Sequence, residues 1–123
     1  MRVLLVDDYD DARESIRLIL ELRGWQVVEA RDGREAIERA LEERPDLILM
    51  DLEMPVMDGF AAAHRMRESE TTRVTPIIAI SAHREHVWVE RAMANGFTDY
   101  MRKPLQFETL LAALVRHLPD APA

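Results

Sequence analysis

The chain has 123 residues, no cysteine and a formal charge of −7, which suits one ordinary domain. Without cysteine, disulfides, thiolate metal sites and cysteine nucleophiles are excluded. The acidity and the lack of a dense Lys/Arg run argue against direct nucleic-acid binding. The longest apolar runs are too short for a membrane span or a signal peptide, so a cytoplasmic protein without membrane contact is expected.

Along the chain, short apolar runs alternate with amphipathic stretches. The first run, Val3–Val6, shows little polar alternation, as expected of a strand covered on both faces. Ala12, Ile16, Ile19 and Leu20 then fall on one helical face, with Arg13, Glu14, Arg17 and Glu21 elsewhere. Leu18 and Leu22 lie off that stripe and form either a docking or dimer surface or a patch covered by loops. Gly24 stands where a helix C-cap is expected, before a second strand at Trp25–Glu29. Asp32-Gly33 reads as a turn, and a second helix runs from Arg34 to Glu43, ending before Pro45.

The third apolar run, Leu47–Met50, closes on Asp51. Asp58-Gly59 reads as a turn or N-cap for a third helix. A fourth strand is expected at Ile77–Ile80, and a fourth helix over about Glu85–Ala94. That helix carries Trp88 either on an exposed docking face or tucked inward. Gly96 again marks a C-cap, a fifth strand lies around Thr98–Met101, and a fifth helix covers about Phe107–His117. The methionines Met50, Met54, Met57, Met66, Met93 and Met101 are expected to fill the core. Residues 1–118 are expected to form the domain and residues 119–123 a short proline-rich tail. Five strand-helix alternations imply an α/β fold with a parallel sheet and helices on both faces. Right-handed crossovers then restrict the topology, and a flavodoxin-like, doubly wound (βα)5 arrangement with five strands in the order 2-1-3-4-5 is one of the two common outcomes.

Carboxylates are poor strand formers and costly to bury. Yet the first run ends in Asp7-Asp8 and the third in Asp51. Ligands of an open parallel sheet sit outside the carboxyl ends of its strands, where this chain also places Ser81 and, after the fifth strand, Lys103. Three converging acids repel unless a cation lies among them. All-oxygen donors suit Mg²⁺, and a lysine with a hydroxyl opposite could hold phosphoryl oxygens. A carboxylate between metal and lysine could then attack phosphorus. Helix capping explains any one of these acids alone, but not three of them together with Lys103. His83 and His86, three residues apart, have no third soft ligand nearby and read as exposed polar residues.

These residues sit within longer motifs. They include Val6-Asp7-Asp8, Gly24-Trp25-Gln26-Val27, Ala30-Arg31-Asp32-Gly33-Arg34-Glu35-Ala36, and the segment from Pro45 through Asp51, Met54-Pro55 and Asp58-Gly59. Ser81-Ala82 and Gly96 through Tyr100 to Lys103-Pro104 follow in order. Over nearly its whole length the chain resembles the receiver domains of two-component response regulators, particularly the single-domain, chemotaxis-regulator-like kind. The resemblance implies that Asp51 is the phosphoacceptor, with Mg²⁺ bound by Asp7, Asp8, Asp51 and the backbone carbonyl of Glu53. It implies that Lys103 and Ser81 engage the phosphoryl group, that Ser81 and Tyr100 are the switch pair, and that the Lys103-Pro104 bond is cis. Glu53 and His83 would border the pocket and tune the lifetime of the acyl phosphate. Phe97 replaces the small residue usual after this glycine, so packing near the fourth helix would be altered.

The same resemblance implies a phosphoprotein of phosphorelay signalling rather than an enzyme. Its donor would be a sensor histidine kinase or histidine phosphotransfer protein, and its output a downstream protein target. That target would read the surface formed by the fourth helix, fifth strand and fifth helix. Homodimerisation stays open, although Ala112-Ala113 stand where some DNA-binding regulators place an arginine for their dimer. A Mg²⁺-dependent aspartyl phosphohydrolase of related fold would need a second acid two residues after the nucleophile on strand 1, where Tyr9 stands. A phosphorylation-independent interaction module would be favoured by loss of a key residue, and none is lost. No output domain is expected within the chain, while a piece of a longer regulator or hybrid kinase is the alternative.

Overall fold

The computed structural model describes residues 1–118; the expected tail, residues 119–123, lies outside them. Five strands alternate with five helices. They are β1 (Arg2–Val6), α1 (Asp10–Leu22), β2 (Gln26–Ala30), α2 (Gly33–Glu43) and β3 (Leu47–Asp51). The second half adds α3 (Gly59–Arg67), β4 (Ile77–Ser81), α4 (His86–Ala94), β5 (Asp99–Arg102) and α5 (Phe107–His117). All strand pairs are parallel, in the order β2-β1-β3-β4-β5, so the expected topology holds.

The continuous apolar runs are buried because the sheet has a core on each face. Side chains alternate across a strand, sending Leu4, Val6, Ile48, Met50 and Ala79 to one cluster. Val3, Leu5, Leu47, Leu49, Ile78 and Ile80 go to the other. Helices α2, α3 and α4 supply Ala36, Ala40, Phe60, Ala63, Met66 and Ala92 to the first, while α1 and α5 supply Leu20, Leu110 and Leu114 to the second. Phe97 is buried in the first cluster together with Ala92, so its bulk is absorbed by the α4 packing. Strand order reverses direction between β1 and β3, which opens a crevice at their carboxyl ends.

Local signals set the element ends. Gly24 and Gly96 follow the α1 and α4 C-caps with φ of 92° and 100°, as expected. Asp58 caps α3 by accepting from the Ala61 N–H at 2.9 Å. Asp32, expected in a turn, caps α2 through the Glu35 N–H at 2.8 Å, and the helix starts at Gly33. At Gly59 a Cβ would collide with the Asp51 carbonyl oxygen. Only glycine therefore lets the first turn of α3 press against the end of β3.

Two expectations about faces are corrected, and one open alternative is decided. Ala12 is exposed; Ile16, Ile19 and Leu20 turn inward as expected, joined on that side by Arg13 and Arg17. The reason is polar: the Arg13 guanidinium reaches inward to bond the Asp7 carbonyl (2.8 Å) and Glu29 (3.1 Å). Met93 is 41% exposed, turned out of the core by its place on α4. Leu18 and Leu22 are not covered by loops; Leu22 is 86% exposed.

Candidate functional site

The carboxyl ends of β1, β3 and β4 and the turn after β5 converge on one cleft of about 500 Å³, lined by Asp8, Asp51, Glu53, Ser81, His83 and Lys103 among others. Asp7 lies beneath it, 2% exposed, and Asp51 is 6% exposed. None of the three acids serves as a helix cap. Asp7 Oδ1 accepts from the Tyr9 N–H at 2.9 Å, Asp51 Oδ1 accepts from the Glu53 N–H at 3.3 Å, and the α1 N-cap, Tyr9, has no side-chain capping bond. The capping alternative is thereby set aside.

Lys103 Nζ donates to Asp51 Oδ2 at 2.8 Å and lies 3.9 Å from Asp7 Oδ2. Burial drives the Asp51 pKa above its ordinary value, and the nearby Asp7 charge adds to this, while Lys103 and the Glu53 N–H oppose it. For Lys103, burial alone would lower the pKa. The hydrogen bond to Asp51 and the charges of Asp51, Asp7 and Asp8 override it and hold the ammonium form.

One oxygen from each of Asp7, Asp8 and Asp51 lies within 4.8 Å of the others. Asp8 Oδ1 is buried without a hydrogen-bond partner among the described residues. A buried, unpartnered carboxylate oxygen facing two further carboxylates is a donor set that fits a hard divalent cation such as Mg²⁺. Glu53 lines the same cleft.

His83 is not the exposed polar residue its spacing implied. Its ring stacks on Trp88, centroids 3.6 Å apart and planes 1° from parallel, and its Nε2 meets the Glu53 carboxylate. Its N–H donates to Ser81 Oγ at 3.1 Å, and its carbonyl accepts from the Tyr100 hydroxyl at 2.7 Å. One residue of the β4–α4 loop therefore joins Ser81, Tyr100, Glu53 and Trp88. Trp88 is half-buried against His83 and Phe60, the inward alternative. His86 is exposed and meets only Glu90, at 2.9 Å.

The Tyr100 ring packs against the core. Its hydroxyl, bonded to the His83 carbonyl, ties that packing to the β4–α4 loop. The Lys103-Pro104 bond is cis, as expected. Sequence reasoning missed Arg13, whose side chain is 11% exposed and fixes the carbonyl of Asp7. The signal was present in its 13, 16, 17, 20 spacing.

The fold and this pocket define a doubly wound domain that gathers three acids and a lysine at the carboxyl ends of its strands. Residues 3–115 match the response regulator receiver domain, and the chain belongs to that family. Protein PilH of Pseudomonas aeruginosa is 34% identical over 116 residues, covering 92% of this chain and 93% of PilH. The signal transduction histidine-protein kinase BarA of Shigella flexneri is 37% identical across 98% of this chain, which spans only 13% of that kinase. The chemotaxis protein CheY4 of Vibrio cholerae superposes with a TM-score of 0.91 at 36% identity, covering 95% and 98% of the two chains. The receiver domain of a Pseudomonas aeruginosa sensor histidine kinase, solved with a magnesium ion coordinated in its active site cleft, gives 0.90 at 34% identity, covering 97% and 98%. Among the described residues, no helix is long and apolar enough to cross a membrane.

Proposed function

We propose that this chain is a phosphoacceptor switch in which Asp51 receives a phosphoryl group from a histidine kinase or histidine phosphotransfer protein. The observation that carries the reading is Asp51 itself, a buried carboxylate held between two further acids and a lysine at 2.8 Å. Family membership and the match to a segment of a histidine kinase support it.

An Asp51 oxygen attacks phosphorus in line as the phosphorus–nitrogen bond of the donor imidazole breaks, and the departing imidazole takes a proton from water. Lys103 compensates the phosphoryl oxygens, and Ser81 Oγ donates to one of them. Asp7, Asp8, Asp51 and the Glu53 carbonyl would hold Mg²⁺, which supplies charge neutralisation for the transferring group. Drawing Ser81 Oγ toward the phosphoryl group removes the acceptor of the His83 N–H. The β4–α4 loop, Tyr100 and Trp88 then shift together, altering the α4–β5–α5 surface that a protein target would read. Signalling rather than turnover is the output, and Tyr9 in place of a second acid after Asp7 disfavours a phosphohydrolase.

The test is intact mass after incubation with acetyl phosphate and Mg²⁺. A single phosphoryl adduct is expected, lost in Asp51→Asn and in chelator. No adduct would favour a phosphorylation-independent interaction module, and rapid turnover of unrelated phosphate esters would favour the enzyme.

A further inference from the structure

The guanidinium of Arg13 meets three separate elements at once. Nη1 donates to the Asp7 carbonyl at the end of β1 (2.8 Å) and Nε to the Glu29 carboxylate on β2 (3.1 Å). Nη2 donates to the Asp10 carboxylate in the first turn of α1 (2.6 Å). Asp7 is thereby tied at both of its backbone groups, since its own N–H donates to the Ala30 carbonyl at 3.1 Å.

That attachment matters most for Asp8. The carboxylate of Asp7 is held by the Tyr9 N–H and that of Asp51 by Lys103, whereas Asp8 Oδ1 is buried without a hydrogen-bond partner among the described residues. The Asp8 carboxylate is therefore aimed by its backbone, and the peptide joining Asp7 to Asp8 is the one whose oxygen Arg13 grips. The charge of Arg13 goes elsewhere. It is matched at contact distance by Glu29 and Asp10, so Arg13 brings a hydrogen bond to the acids without a net field that would repel a cation there.

We propose that Arg13 is a positioning residue for the cation site: by clamping the Asp7 carbonyl it holds Asp7, Asp8 and Asp51 at a spacing that selects Mg²⁺. The inference rests on the reading that these acids bind Mg²⁺. Mg²⁺ demands near-ideal octahedral geometry at short distances, whereas Ca²⁺ accepts longer and more variable oxygen contacts. A clamp that fixes the acids therefore favours the smaller ion. A purely electrostatic role makes a different prediction, because removing a nearby positive charge would tighten both dications alike. Loss of a group that orients a metal ligand commonly costs about 10–100-fold in affinity.

The test uses the full chain without phosphodonor, titrated separately with Mg²⁺ and Ca²⁺ and followed by the amide signals of residues around Asp51. Arg13→Met is expected to raise the Mg²⁺ Kd by about tenfold and the Ca²⁺ Kd by less than about threefold. Arg13→Lys keeps the charge but not the fork, and is expected to weaken Mg²⁺ in the same direction by a smaller factor. Arg17→Met makes the same charge change one turn along α1 and is expected to leave both values within about twofold. Circular dichroism confirms that each variant is folded; where Arg13→Met does not fold, Arg13→Lys decides. An unchanged or lower Mg²⁺ Kd in Arg13→Met, equal weakening of the two ions, or an equal effect in Arg17→Met would overturn the proposal, as would unaltered affinity in Arg13→Lys. No Mg²⁺ binding by the unsubstituted chain would instead defeat the metal reading, and this inference with it. Because no phosphodonor is present, the result is independent of whether Asp51 accepts a phosphoryl group.

Discussion

Replacing Lys103 by methionine keeps most of the side-chain volume and removes only the charge, so its effect isolates the electrostatics of the pocket. At 2.8 Å from Asp51 and an effective dielectric of about 20, the gross attraction is about 6 kcal/mol. Desolvation of the two groups consumes most of it. Breaking a fully buried pair costs about 3–5 kcal/mol, and the lysine side chain is 31% exposed, so a loss of about 2 kcal/mol is expected after solvent screening. The assay is urea unfolding at neutral pH, once in chelator and once in millimolar Mg²⁺. A divalent ion among the acids replaces the lost positive charge, so the deficit is expected to shrink to under about 1 kcal/mol when Mg²⁺ is present. Acid should shrink it too, because Asp51 and its neighbours are then neutral. A deficit identical in chelator, Mg²⁺ and acid would refute the reasoning and assign Lys103 a packing role.

Three further outcomes are expected. The Asp99 pKa is lowered: burial alone would raise it, but the His117 hydrogen bond, the Tyr100 N–H and Arg116 prevail. Its contribution is therefore complete above the unfolded-state value and lost as pH falls through the lower folded-state value; Asp99→Asn should destabilise the protein at neutral pH and not near pH 2, read by thermal unfolding. Gly59→Ala sets a methyl group on the Asp51 carbonyl and should cost about 1–3 kcal/mol in urea unfolding, together with most phosphoryl acceptance measured by intact mass; a neutral variant would mean that α3 can retreat from β3. Trp88 emission should change on adding acetyl phosphate with Mg²⁺, since its stack on His83 depends on the Ser81 hydrogen bond; the change should vanish in Trp88→Phe, and its persistence there would refer the signal to Trp25.

The fold was legible because each strand is an unbroken apolar run and each helix a polar-apolar stripe, with Gly24, Gly96 and Asp58 marking ends by mechanisms that act within a few residues. Observed strand ends shifted by about one residue because pairing, not propensity, decides the last hydrogen bond. The site's acids were legible too, since Asp7, Asp8 and Asp51 each break an apolar run where a parallel sheet presents its ligand crevice. What sequence could not reveal depends on loop conformation. His83 meets Glu53 from thirty residues away and stacks on Trp88, a meeting that no periodicity encodes. Arg13 counted as polar and so as outward, yet its long side chain buries its stem and reaches the Asp7 carbonyl.

The central claim is that one particular carboxylate of three takes the phosphoryl group. Hydroxylamine attacks the acyl carbon of an acyl phosphate, expels phosphate and leaves a hydroxamate on the residue that carried it. Treating the protein with acetyl phosphate and Mg²⁺, then hydroxylamine, and mapping the peptides by mass is predicted to place a hydroxamate on Asp51 alone. A hydroxamate on Asp7 or Asp8, or none on any of the three, would contradict it.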